Sequence, residues 1–217
     1  MKTAAARQAC RNLSVCVLLS VSTYGGQSLA QDGDVEWPCI QRLVPEISAA
    51  VMWPLPIEES MHGLWKSDTV IRPLAERLGD MPAYTEAEEE TVRAFAQGVP
   101  DPQKEERLSL LAAGILDVTN GLRQQYIRGI KRYTRQQIAI AGQIGETLNG
   151  ISSLEESSEG EPESAPDAQR EELLATLKWH ERVYDQREHA IRSLCDQPVE
   201  LEETLSDVLR DLAQYLP

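Results

Sequence analysis

A single phenylalanine, three histidines and four cysteines in 217 residues leave little material for the commonest reactive sites. His62, His180 and His189 are too scattered for a zinc motif, and no Cys-x-x-Cys-His haem-attachment run occurs. Gly-x-Ser-x-Gly elbows, His-Glu-x-x-His helices and glycine-rich phosphate loops are likewise absent from the sequence. No catalytic residue, metal-ligand set or cofactor is therefore assigned.

Long apolar runs are also scarce. The most apolar stretch, Leu13 to Tyr24, is interrupted by serines and followed by Gly25-Gly26, too short and polar to remain in a bilayer. Lys2, Arg7 and Arg11 precede it, and Ser28-Leu29-Ala30 supplies the small residues read by a signal peptidase. Residues 1–30 are thus expected to be a secretory leader, and the mature protein to work in the periplasm or outside the cell. Cleavage would remove Cys10 and Cys16 and leave Cys39 and Cys195, a pair that an oxidising compartment favours joining. A catalytic role for Cys39 is disfavoured, because a dithiol site needs a second nearby cysteine.

Positive charge is in short supply. The formal net charge is −14, and loss of the three leader cations takes it near −17. Such a surface repels nucleic acid and anionic lipid. Between Asp117 and Glu146, however, no acidic residue occurs, while Arg123, Arg128, Lys131, Arg132 and Arg135 form a basic band. That band either pairs with an acidic helix of the same chain or receives a carboxylate-rich partner.

What the chain does contain divides it into two parts beyond the leader. Residues 31–66 hold Trp37, Trp53 and Trp65 together with Pro38, Pro45, Pro54 and Pro56, a density that allows only short helices such as Pro45 to Met52. Residues 67–217 read as helical. Asp68 can cap a helix through Leu78, and Thr85 with Glu88 forms a capping box for one reaching Gln97. Leu108, Leu111, Ile115, Leu122, Tyr126, Ile130 and Tyr133 begin an apolar stripe that continues to Ile151 and predicts a helix over about 102–149. The acidic, serine-rich segment 152–166 predicts a connector, followed by a helix over 167–195 and a last one after Pro198. The expected fold is all-α: an elongated antiparallel helical hairpin with shorter packed helices and an irregular Trp/Pro-rich N-terminal segment docked on the helical core.

These features point to an exported interaction or scaffold protein, an accessory subunit of a cell-envelope complex rather than a catalyst. Trp53 and Trp65 are the expected exposed anchors for an envelope protein, and the Arg123–Arg135 band a second, acid-seeking surface. Leftover apolar surface on a two-helix arm would also permit homodimerisation. A small-ligand domain is the alternative, with Tyr126, His180 and Arg187 as polar contacts between the helices and the tryptophan segment. In the bland reading His180 and Arg187 serve only packing, Arg187 paired with Asp117 or another acid on the opposing helix. A weaker third reading, a copper or redox accessory protein, would assemble Met61-His62 with Met52 or Met81.

Overall fold

The computed structural model describes residues 34–158 and 166–217; residues 1–33, which include the expected leader with Cys10 and Cys16, and residues 159–165 of the expected acidic connector lie outside them. Helices α1 (Ala49–Met52), α2 (Met61–Leu64), α3 (Ile71–Gly79), α4 (Glu86–Gly98), α5 (Lys104–Ser158) and α6 (Pro166–Ala213) follow in order, with short 3-10 turns at Trp65–Ser67 and Asp101–Gln103. No strand occurs among the described residues. The protein is all-α, and α5 and α6 form its antiparallel hairpin.

Local chemistry explains the element starts. Asp68 Oδ1 accepts from the backbone N–H groups of Val70 and Ile71 at 2.9 and 2.8 Å, satisfying orphan donors at the head of α3. Its other oxygen pairs with Arg107 of α5, so the same carboxylate fixes where α3 lands. Thr85 precedes α4, and Glu86, Glu88 and Glu89 place negative charge in its first turn, where the helix dipole favours it. Thr85 and Glu88 do meet, but hydroxyl to carboxylate rather than as reciprocal caps on backbone N–H groups.

The long helices overrun their predicted limits. α5 continues through residues assigned to the connector, and the Ser153 and Ser157 hydroxyls bond back to carbonyls four residues earlier. Helix α6 passes straight through Pro198, where the sequence suggested a break. A proline removes one helical donor, that toward Leu194, and normally costs about 3 kcal/mol in a helix interior. Pro198 is buried; its carbonyl accepts from Arg123 at 3.1 Å, and the Cys195 carbonyl accepts from the Gln41 amide at 2.5 Å. Pro198 belongs to the seam itself. From Leu173 through His180, Tyr184, Arg187 and Ile191 to Leu212, inward positions alternate between four- and three-residue steps, the repeat of a left-handed coiled pair.

The dry core lies at the root of the hairpin. Leu108, Leu111, Ile115 and Leu116 of α5 meet Leu205, Val208, Leu209 and Leu212 of α6, with Ile71 and Leu78 of α3 and Val92 of α4 closing the base. Each such side chain contributes about 1.5–3 kcal/mol by leaving water. Two glycines let the backbones approach: a Cβ on Gly79 would stand 2.6 Å from the Val118 Cβ, and one on Gly114 2.6 Å from the Ala75 Cβ. Tyr84 donates to Asp211, tying the turn before α4 to the end of α6. Burial and this carboxylate push the Tyr84 phenol far above its ordinary pKa.

Candidate interaction site

The tryptophans face inward, contrary to the expectation that they anchor a partner. Trp53 is 3% exposed and Trp65 4% exposed. Their indole N–H groups find acceptors on α5: Trp53 donates to Ser109 Oγ at 3.1 Å, and Trp65 to Asp117 Oδ2 at 2.8 Å. The Trp65 ring rests on Gly114, where a Cβ would lie 3.1 Å from its Cδ2. Buried apolar area with a satisfied N–H is a more favourable state for an indole than exposure. Asp117 is thereby occupied, since it also accepts from His62 Nδ1 at 2.6 Å. Met81 is buried in the core, and no group of three or more His, Cys, Asp or Glu side chains suited to a metal occurs among the described residues.

The basic band has a partner within the chain. Residues 34–48 form a strap across the root of the hairpin, covalently joined to α6 by the Cys39–Cys195 disulfide, whose Cα atoms are 5.5 Å apart. Asp34 pairs with Lys131, and Glu36 with Arg135 at 2.6 Å. Arg123, expected in the exposed band, is only 5% exposed. Its guanidinium donates to the Val44 carbonyl at 2.8 Å, to the Pro198 carbonyl at 3.1 Å and to Glu202 at 3.2 Å, joining strap, α5 and α6. Asn120 completes the clamp by accepting from Ile47 N–H at 2.8 Å and donating to Ile47 O at 3.1 Å. Arg128 and Arg132 remain exposed, without an ion pair among the described residues.

The expected ligand contacts lie on α5 and α6. Arg187 donates to Gln137 Oε1, Gln136 Oε1 and the Tyr133 carbonyl at 3.0–3.1 Å, and its guanidinium lies 3.9 Å from the Tyr133 ring centroid. Asp117, one pairing expected for it, is engaged elsewhere. Tyr126 is half-buried on α5. His180 packs beside Trp179, and its Nδ1 is buried without a hydrogen-bond partner among the described residues. None of these three lines the grooves of the base.

Among the described residues, two surfaces combine exposed apolar side chains with room for a partner. On the outer arm, beyond the strap, Ile138, Leu148 and Leu174 are exposed, and Trp179 is 59% exposed. At the root, the strap and α6 enclose a groove of 270 Å³ over Arg123, lined by Val44, Val51, Met52 and Val199. A wider, shallower space of 580 Å³ shares Met52, Val199 and Glu202 and continues toward Arg210. Sequence reasoning expected leftover apolar surface on the arm without naming these side chains, although Trp179 is the one tryptophan outside the proline-rich island, and it missed the groove, whose walls come from segments far apart along the chain. Compared with protein-family models, curated proteins and solved structures, the chain matches none.

Proposed function

We propose that this chain is an exported helical scaffold protein, an accessory subunit of a cell-envelope complex, which presents its hairpin arm to another protein. The observation that carries the reading is the outer arm. A two-helix arm can bury only the facing stripes of its helices, and this one leaves Ile138, Leu148, Leu174 and Trp179 in water beyond the reach of the strap. Trp179 is the strongest single anchor, since an aromatic side chain brings large apolar area at low conformational cost.

Export is supported by the leader-like first 30 residues and by a disulfide that an oxidising compartment preserves. No described helix is long and apolar enough to cross a membrane. Photo-crosslinking residues placed at Trp179 and Ile138 in native cells should yield one defined adduct with an envelope protein, while the same probe at Arg72 on the base should not. Equal labelling at all three positions, or none at the arm, would count against the arm as the docking surface.

A further inference from the structure

Charge is segregated along α5. No acid occurs between Asp117 and Glu146, and no cation between Arg135 and Arg170. An outward stripe of the helix, stepping by three and four residues, therefore runs from Arg128, Arg132 and Arg135 through Gly142 to Glu146 and Glu156, and each of these residues is exposed. Helix α6 takes the opposite side of α5, where Tyr133 donates to the Arg187 carbonyl and Gln137 to the Tyr184 carbonyl.

The chain itself leaves most of these charges unmatched. Arg128, Arg132, Glu146 and Glu156 make no ion pair among the described residues, and Arg135 keeps 54% of its side chain exposed although Glu36 reaches it. A second copy supplies what is missing. Turned antiparallel, with its own α5 against this one about a two-fold axis between residues 140 and 141, it sets Arg135 against Glu146, Arg132 against Asn149 and Ala139 against Gly142, each pair occurring twice. The same register brings Glu156 within a turn of Arg128. At the centre the backbones are free to approach, since a Cβ on Gly142 would meet nothing within 4 Å. A parallel pair would instead set arginine on arginine. The formal charge of −14 on each copy opposes association at low salt, but exposed charges more than about 8 Å apart are largely screened at physiological ionic strength, and those in contact then decide.

We infer that this protein self-associates through the outward stripe of α5 into an antiparallel dimer of hairpin arms. The test is sedimentation velocity of the chain from residue 31 onward, at physiological salt, over about 1–100 μM. The unaltered protein should pass from monomer to dimer with concentration. Arg128→Glu with Arg132→Glu makes the stripe predominantly acidic, and Glu146→Arg with Glu156→Arg makes it wholly basic; each variant alone should dimerise at least about tenfold more weakly, with its helical circular dichroism unchanged. Mixed in equal amounts, the two should pair with each other about as tightly as the unaltered chain pairs with itself, because both ends of the stripe are then matched again. Arg72→Glu with Glu76→Arg, exposed on α3, should leave the dimer as it is.

A monomer throughout that range would overturn the inference. So would a dimer unmoved by either charge reversal, or a mixture of the two variants that stays monomeric. Trp179 lies on α6, outside this stripe, so loss of self-association leaves its crosslink to an envelope protein in place, and absence of that crosslink leaves the dimer in place.

Discussion

At the scale of single residues, the charged and polar groups at the clamp do the most to define the molecule. Asp68 is held down to a pKa of about 2, first by Arg107 and then by the N–H groups of Ile71 and Val70. A carboxylate depressed in the folded state contributes stability that is complete above its unfolded value of about 3.9 and is lost as pH falls through the folded one. Asp68→Asn should therefore lower stability at neutral pH and flatten its decline between about pH 4 and pH 2, as read from urea midpoints across that range. Arg123→Met leaves the Val44 carbonyl without this donor and removes the shared contact to Pro198 and Glu202; a loss of about 2–4 kcal/mol is expected in equilibrium unfolding. His180→Leu works in the opposite direction. It removes a buried nitrogen that has no described partner from a seam position and should raise thermal stability by about 1 kcal/mol. The capping role of Asp68 was legible in sequence, because N-capping needs only neighbours along the chain. The inward turn of Arg123 was not, since its acceptors lie 75 and 79 residues away.

At the scale of elements, the same residue type has opposite meanings along α5. Gly114 sits under Trp65 and Ala75, so Gly114→Ala forces a Cβ into contacts of 2.6 and 3.1 Å and should destabilise the fold by about 1–3 kcal/mol. Gly129 has nothing within 4 Å of an added Cβ, and Gly129→Ala should stabilise by up to about 1 kcal/mol through helix propensity. Chemical unfolding of the two variants side by side checks both signs. Periodicity reveals neither role, because it reports the spacing of apolar residues and not the distance to a facing helix. It does reveal the hairpin, whose inward stripes repeat over many turns. Pro198 misled for a related reason: the rule that proline ends helices is local, and here the residue is buried within a long seam whose packing continues on both sides of it.

At the scale of the whole molecule, the disulfide joins residues 156 apart and converts an irregular segment into a fixed wall. A loop of that length gives up to about 5 kcal/mol in the chain-entropy model, with strain and residual structure reducing it. Replacing both Cys39 and Cys195 with Ser should lower the unfolding midpoint and speed amide exchange in 34–48, while α3 and the root of α5 keep their protection; unchanged exchange in the strap would show that Arg123 and Asn120 suffice to hold it. By itself the sequence determined the helical class, the hairpin and the placement of the apolar stripes, because each follows from spacing along the chain, and it pointed to the bridge between Cys39 and Cys195 on the expectation that Cys10 and Cys16 leave with a leader. Only the tertiary structure decided what Trp53, Trp65, Arg123, Lys131 and Arg135 touch. An indole or a guanidinium is equally suited to its own chain and to a foreign one, and the choice is made by which distant surface lies closest when the strap is tied down. Here those surfaces were the protein's own, α5 for the two indoles and the strap with α6 for the three cations, which leaves Trp179 and the valine-lined groove, rather than the tryptophan island, facing outward.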